Sequence, residues 1–173
     1  RLLWMEDTPH STEAARLEDV VDLTPYVKDG ELNWNAPEGN WRIFRFGYSL
    51  TGKTNHPASP EATGLEVDKL DPKAITEYFR NYLQTYIDAS GGKLGKGGIE
   101  YLLTDSFEAG AQTWTVNMPA EFKARKGYDL LRWMPALTGM VLNSTEETER
   151  FLFDWRRTIG DMITEYHYDL QNE

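Results

Sequence analysis

The first 50 residues contain short apolar runs separated by turn-forming residues. "DVVDLTPYV" (residues 19–27) predicts a short strand that Pro25 breaks, and "ELNWN" and "WRIFRFGYSL" flank the turn sequence "APEG". Short apolar runs bounded by Pro and Gly are typical of β-strands and hairpins. We therefore predict a β-rich lead-in with a hairpin over residues 31–50.

After residue 50 the pattern of polar and apolar positions predicts a long loop and then a helix. Residues 51–64, "TGKTNHPASPEATG", are polar and rich in Gly, Pro and Thr, which predicts a long loop of the kind that often carries function. "LEVDKL" (65–70) predicts a short strand or strand end. Asp71 as N-cap and Pro72 at the first helical position then predict a helix that ends at Gly91 and Gly92. Its apolar stripe, at helical spacing, consists of Ile75, Tyr78, Phe79, Tyr82, Leu83, Tyr86 and Ile87.

Two more helices are predicted in the second half of the chain. "MPAEFKARKG" (118–127) has Pro119 at its start and Gly127 past its end. A long helix begins at about Ser144, which forms a capping box with Glu147. The segment between them, "YDLLRWMPALTG", is broken at Pro135.

Between the first two helices, "IEYLLT" (99–104) is almost continuously apolar, as in a parallel-sheet strand buried on both faces. The preceding "GGKLGKGG" lacks the pattern of a phosphate-binding loop and predicts a flexible connection. The order strand, helix, strand, helix indicates an α/β fold, and specifically the opening units of an α/β barrel or a doubly wound sheet.

Composition narrows the possible partners. The chain has 18 basic and 28 acidic residues, and this net charge of −10 opposes nucleic-acid binding. It has no Cys, which excludes disulfides and thiolate metal sites, and no stretch of the ~20 apolar residues that a membrane span needs. The chain starts at Arg1 and stops inside a helical pattern, so we expect it to be a piece of a longer protein.

Two carboxylates, Asp105 and Glu108, follow the predicted strand in "LLTDSFEAGAQTWT". The carboxyl ends of strands are where catalytic side chains gather in α/β barrels and open sheets. A neighbouring charge, or an apolar wall such as Phe107 or Trp114, could raise the pKa of one carboxyl until it donates a proton near neutral pH. Alternatively, Asp105 caps a turn and Glu108 is a solvated loop residue.

The loop after the lead-in holds a second group of candidate residues, with side chains that could contact hydroxyls or a hard cation. They are Asn55, His56, Glu66 and Asp68. His56 could equally be a structural loop histidine. Glu66 and Asp68 fall on one strand face by the period of two, and a salt bridge with Lys69 or Lys53 is the alternative for them. Trp114 could stack on a sugar ring, or it could belong to the core.

Three motifs together resemble the bacterial α-L-rhamnosidases of glycoside hydrolase family 106. They are "GNWRIFRFGYSLTGKTNHPASPEATGLEVDKLD", "LLTDSFEAGAQTWT" and "EFKARKGYDLLRWMPALTG", and the resemblance runs from about Val20 to Leu142. It implies a large multi-domain enzyme with a catalytic (β/α)8 TIM barrel. Residues 1–40 would then be the β-rich lead-in, and residues 41–173 the N-terminal part of the barrel.

The resemblance also implies an activity, namely inverting hydrolysis of terminal α-L-rhamnosides in plant polysaccharides, assisted by Ca²⁺, in the bacterial periplasm or outside the cell. Glu108 would be the general acid, Asp105 would tune it or bind substrate, and the base would come from beyond Glu173. Asn55, His56, Glu66 and Asp68 would border the pocket as sugar or calcium contacts. The expected partners are a rhamnose-containing carbohydrate and the remainder of the full-length chain, with no nucleic acid and no membrane span.

Two other functions remain open from the sequence. The same barrel could serve another glycoside, because a fold does not fix the substrate. The chain could also belong to a non-catalytic carbohydrate-binding domain, in which the acidic residues only hydrogen-bond to sugar.

Overall fold

The computed structural model describes residues 14–103 and 107–172. These residues form three main helices: α1 (Pro72–Ala89), α2 (Met118–Lys126) and α3 (Thr145–Met162). A π-helical stretch, Ile163–Asp169, and a last helical turn, Leu170–Asn172, continue α3. Short 3₁₀ segments cover Leu17–Asp19, Thr24–Tyr26, Pro60–Ala62 and Leu131–Thr138. None of the helices in these described ranges is long and apolar enough to cross a bilayer.

The described residues divide into two compact units, and neither is continuous in sequence. The first unit takes its residues from Arg1–Gly47 and Met118–Thr158, and the second from Tyr48–Asn117 and Ile159–Glu173. The candidate residues that the structure describes, from Asn55 to Trp114, all fall within the second unit. The geometry of the candidate site can therefore be described within one unit.

The first unit has an aromatic core between α2 and α3. Phe122 and Phe151 are buried, with their ring centroids 5.9 Å apart, and Trp133 stacks on Phe151 at 5.5 Å. Tyr128 meets Phe122 edge-on at 5.0 Å, and its hydroxyl donates a hydrogen bond to Asp154. Burial, and then the Asp154 carboxylate, raise the pKa of this hydroxyl far above its ordinary value. The core thus also satisfies the one polar atom that Tyr128 brings into it.

A small hairpin in the first unit corrects the prediction for the lead-in. The two strands β1 (Val27–Lys28) and β2 (Glu31–Leu32) pair antiparallel across Asp29-Gly30. Both turn residues have positive φ, 50° and 82°, as a two-residue hairpin turn requires. Residues 19–26, predicted as a strand, contain 3₁₀ turns at Asp19 and at Thr24–Tyr26 and no strand, and residues 33–50 contain no strand either. The hairpin forms at Asp29-Gly30 because two consecutive residues with positive φ fit the twist of the two strands. The predicted turn "APEG" has no two consecutive residues of this kind.

The three predicted helices are confirmed, but of the capping box at the start of α3 only the Ser144 half forms, because the Glu147 carboxylate accepts a hydrogen bond from Nδ2 of Asn143. The Asp71 carboxylate accepts a hydrogen bond from the backbone N–H of Lys73, and Gly91 and Gly92 end α1 with φ of 69° and 80°. The Ser144 hydroxyl accepts a hydrogen bond from the backbone N–H of Glu147 at the start of α3. These signals succeed because they act between residues two or three positions apart.

The apolar stripe of α1 divides into two faces. Ile75 is buried, and Phe79, Leu83 and Ile87 are half-buried along the same side. Tyr78, Tyr82 and Tyr86 form an exposed ladder with centroid separations of 6.2 and 4.9 Å. The residues Leu170–Asn172 and the π-helical stretch before them pack against α1.

The strand predicted at 99–104 is not observed in residues 99–103, and Thr104 lies outside the described residues. Leu94 and Ile99 form one isolated bridge, and Tyr101 and Leu103 are 90% and 87% exposed. Residues 65–70 are likewise not a strand, since only Leu65 bridges, to Thr54. A strand requires a neighbour that is hydrogen-bonded along several residues, and the described part of the chain offers these segments only isolated bridges. The regular secondary structure of the described residues is therefore mainly helical, with one small sheet, and the barrel stays a proposal.

Candidate active site

The long loop after residue 50 is present, and a side-chain amide closes it. Asn55 donates a hydrogen bond from Nδ2 to the carbonyl of Ala62 at 3.0 Å and accepts one at Oδ1 from the N–H of Gly64 at 2.8 Å. The backbone N–H of Asn55 also bonds to the carbonyl of Gly64 at 3.0 Å. Asn55 therefore holds the loop that presents His56. A contact between Asn55 and sugar stays a prediction.

His56 and Glu108, which come from separate motifs, lie side by side. Nδ1 of His56 is 3.8 Å from Oε2 of Glu108, and the side chains are 48% and 61% exposed. If a ligand binds within hydrogen-bond reach of Glu108, this carboxyl can donate a proton to it or accept one from it. The structure thus assembles one candidate from the loop and one from the "DSFE" motif at a solvent-accessible point.

The residues on either side of Glu108 are less exposed than the Glu108 side chain, which is 61% exposed. Phe107 is 37% exposed and Ala109 only 2%. Of the two neighbours, Ala109 is the one that is buried, and Glu108 beside it stays accessible to solvent. A side chain in this position keeps access to a substrate while its backbone is anchored.

Glu66 forms the salt bridge that the sequence left open, and its partner is Lys69. Nζ of Lys69 lies 2.5 Å from Oε2 of Glu66, with side-chain exposures of 9% and 21%. The same ammonium lies over the ring of Phe107, 5.7 Å from its centroid. A buried lysine is thus neutralised by one carboxylate and contacts the residue next to Glu108.

Asp68 shapes the turn that leads into α1. Its Oδ1 accepts a hydrogen bond from the N–H of Leu70 at 2.9 Å, and its carbonyl accepts one from the N–H of Asp71 at 3.3 Å. The expected shared strand face of Glu66 and Asp68 is not observed, because the pairing with residues 53–54 ends at Glu66 and the chain turns at Asp68. Sugar contacts by Glu66 and Asp68 stay predictions.

Trp114 lies next to another aromatic residue. Its ring centroid is 6.2 Å from that of Tyr48, with an angle of 32° between the planes, and Tyr48 is 66% exposed. Trp114 itself is half-buried. Tyr48 thus offers a solvent-exposed ring, and Trp114 is partly packed. This arrangement is compatible with Trp114 stacking on a sugar ring and also with Trp114 belonging to the core.

Two neighbours of the candidate residues were missed from the sequence. Gln112 accepts a hydrogen bond at Oε1 from the backbone N–H of Lys69 at 2.8 Å and donates one from Nε2 to the carbonyl of Val67 at 3.0 Å. His167 meets the ring of Phe107 edge-on at 6.3 Å. These contacts join positions 43 to 60 residues apart in the chain, and no local pattern announces them.

The environment of His167 disfavours its charged form. Burial first, and then the positive charge of Lys69, lower the pKa of its imidazole, while Glu66 acts in the opposite direction. Nδ1 of His167 lies 2.7 Å from Nε2 of Gln171. A neutral imidazole is thus favoured beside the Phe107 ring.

The described residues do not by themselves fit a calcium ion. Residues 14–103 and 107–172 contain no group of three or more His, Asp or Glu side chains that could hold a metal ion. Of the predicted oxygen ligands, Glu66 is paired with Lys69, and Asn55 and Asp68 bond to backbone amides. Asp105, the second predicted catalytic residue, lies outside the described residues.

Comparisons with known proteins extend this picture. Residues 3–173 match the profile of the family described as alpha-L-rhamnosidase, glycoside hydrolase family 106. The structure of a rhamnosidase from Novosphingobium sp. PP1Y is similar, with a TM-score of 0.79 and 44% identity over 90% of this chain and 15% of that one. A protein of Formosa agariphila named "Putative beta-glucuronidase" is 41% identical over 152 residues, which are 87% of this chain and 13% of that protein.

The chain thus spans less than a sixth of the length of either relative. The family match nevertheless covers nearly all of its residues and includes the loop and the "DSFE" motif described above. The chain belongs to the α-L-rhamnosidase family, glycoside hydrolase family 106.

Proposed function

We propose that this chain supplies the general-acid half of the active site of a glycoside hydrolase that cleaves terminal α-L-rhamnosides. The observation that carries the proposal is the placement of Glu108, whose side chain is 61% exposed beside His56 and whose next residue, Ala109, is buried. Membership of the α-L-rhamnosidase family supports rhamnose as the sugar.

In the proposed reaction, Glu108 is protonated when substrate binds and gives its proton to the glycosidic oxygen as the bond to the anomeric carbon breaks. A second carboxylate removes a proton from water, which attacks the opposite face and inverts the configuration. The two carboxyl groups must stand roughly 6.5–9.5 Å apart to admit that water. Asp105 is too near in sequence to be this base, and the family resemblance implies a base from a part of the enzyme outside this chain.

The other candidate residues have supporting roles in the proposal. His56 is close enough to share a substrate hydroxyl with Glu108, and Trp114 with Tyr48 offers a ring surface for the sugar. Asn55 orders the loop that carries His56, and Asp105 tunes the acid or binds substrate. No step is assigned to calcium, since the described residues do not assemble a ligand set. Plant polysaccharides as substrate, and a periplasmic or extracellular location, follow from the family resemblance.

The test is Glu108→Gln in the full-length enzyme that carries this segment. The amide keeps the size of the side chain and removes its proton. Turnover of α-L-rhamnosides with poorly acidic alcohols as leaving groups should fall by about 10²–10⁴-fold, the usual contribution of a general acid. Rhamnosides of acidic phenols should lose far less, because such leaving groups depart without protonation.

The matched control is Glu77→Gln on the exposed face of α1, which should change neither rate. Equal losses for both leaving groups, or no loss, would reject Glu108 as the acid. Retained sugar binding by a wild-type enzyme without turnover would favour the non-catalytic binding domain instead.

A second substrate has support from one observation, the 41% identity to the Formosa agariphila protein named for β-glucuronosides. In this alternative, the same acid acts on a different sugar. Comparing turnover of the same phenol released from α-L-rhamnoside and from β-glucuronide decides between them. Faster release from the glucuronide would overturn rhamnose as the preferred sugar and leave the role of Glu108 open to the test above.

A further inference from the structure

We propose that Lys69 is a positioning residue for Glu108, and that its buried ammonium holds the backbone from which this carboxyl projects. The inference rests on the proposed role of Glu108 as the general acid. In this proposal Lys69 acts on Glu108 through its neighbours in the second unit.

The first contact is between the ammonium of Lys69 and the ring of Phe107. Nζ lies 5.7 Å from the ring centroid, within the range in which a cation is attracted to an aromatic face. The Lys69 residue is only 7% exposed, so water competes little for its charge. Because Phe107 directly precedes Glu108, holding the ring restricts the backbone at the carboxyl-bearing residue.

The second contact is between the backbone of Lys69 and Gln112. The N–H of Lys69 donates to Oε1 of Gln112 at 2.8 Å, and Nε2 of Gln112 donates to the carbonyl of Val67 at 3.0 Å. The segment from Phe107 to Gln112 is therefore attached to Lys69 at both ends, by the side chain at one end and by the main chain at the other. Ala109 is buried between these attachments.

The partners of the ammonium explain why it remains at this place. Glu66 neutralises it through a contact of 2.5 Å, which offsets part of the cost of burying the charge. His167 covers the edge of the Phe107 ring at 6.3 Å. With its charge already paired with Glu66 and its side chain 9% exposed, Lys69 is better placed to support the loop than to bind a sugar.

The consequence for catalysis follows from the geometry of proton transfer. A general acid must come within hydrogen-bond reach of the leaving oxygen, and a displacement of about 1 Å can cost about 100-fold in rate. If Lys69 fixes Glu108, its loss weakens protonation of the leaving group specifically. A residue with a merely structural role would instead lower the rates for all leaving groups together.

The experiment compares Lys69→Met, and the double variant Lys69→Met/Glu66→Gln, with the wild type in the full-length enzyme. The double variant controls for the Glu66 carboxylate that Lys69→Met leaves unpaired. For rhamnosides of poorly acidic alcohols, kcat should fall by about 10- to 100-fold, while kcat for acidic phenols and KM for both change little. Lys69→Arg, which keeps the charge, should restore most of the loss, and Lys73→Met at the exposed start of α1 is the matched control.

A variant that does not fold, as judged by circular dichroism, is replaced by Phe107→Leu, which removes the ring and keeps an apolar side chain. It should show the same dependence on leaving group. Equal loss for both leaving groups in the folded variant, or no loss, overturns the positioning role.

The outcome is separable from that of the proposed function. If Glu108→Gln shows the leaving-group dependence expected of it and Lys69→Met has no effect, only the present inference is rejected. An unaffected Glu108→Gln variant rejects the acid assignment itself. If the enzyme prefers another sugar, the same alcohols and phenols are tested on that sugar.

Discussion

Glu108 illustrates, at the scale of single residues, how an exposed side chain can be placed by its neighbours. Its side chain is 61% exposed and 3.8 Å from His56, while the buried Ala109 and the Phe107 ring flank it. The sequence marks both Glu108 and His56 as candidates because of their motifs. Only the folded chain brings the two together, since 52 positions separate them.

His167 gives a pH prediction at the same scale. Its pKa is lowered in the folded chain, so the unfolded chain binds more protons between the lowered value and the ordinary value of 6.5. In that window the free energy of unfolding rises with pH. The stabilisation is complete above about pH 6.5 and is lost as the pH falls through the lowered pKa.

The corresponding variant is His167→Gln, which cannot be protonated. Thermal unfolding of the wild type should shift to lower temperature between pH 7.5 and pH 5, and the variant should show a smaller shift. Parallel pH profiles of the two proteins would contradict this prediction, since the missing contribution belongs to one imidazole.

At the scale of elements, the start of α1 depends on one cap. The Asp71 carboxylate accepts the N–H of Lys73 at 2.9 Å, and Pro72 occupies the first helical position. Asp71→Ala should destabilise the first turn by about 1 kcal/mol, the usual cost of losing such a cap. Hydrogen exchange of the amides in the first turn should accelerate by about fivefold if it occurs through local opening.

Asp71→Asn is the matched variant, because it keeps an oxygen acceptor at the same place. Its exchange should stay near that of the wild type. Equal acceleration in the Ala and Asn variants would show that the charge of Asp71, and not its hydrogen bond, stabilises the helix.

The elements also show which predictions from sequence succeed. The ends of α1, α2 and α3 were predictable because caps and glycines act over a few residues. The strands expected at 41–50 and 99–104 were not, because a strand needs a partner that lies elsewhere in the chain. Tyr101 and Leu103 read as buried residues by their apolarity, yet they are 90% and 87% exposed in the absence of a paired neighbour among the described residues.

At the scale of the whole molecule, the proposed reaction is divided between this chain and the rest of a longer enzyme. The chain covers 15% of the similar rhamnosidase structure, and the predicted base lies outside it. We therefore expect the isolated 173-residue chain to show no measurable release of a phenol from its α-L-rhamnoside. Glu108 alone can protonate a leaving group but cannot activate the attacking water.

The assay compares the isolated chain with the full-length enzyme and with its Glu108→Gln variant, using the same aryl rhamnoside. Turnover by the isolated chain that disappears in its own Glu108→Gln variant would contradict the division of the catalytic pair. It would place a second proton acceptor within these 173 residues.

The sequence by itself determined the three helices, the long loop and the family, because these depend on local spacing or on motifs read along the chain. It also singled out Glu108 and His56. Only the tertiary structure decided that Glu66 pairs with Lys69, that this ammonium lies over Phe107, and that Gln112 joins the two segments. The physical reason is that side-chain contacts between distant segments depend on burial and distance in space, which no spacing along the chain encodes.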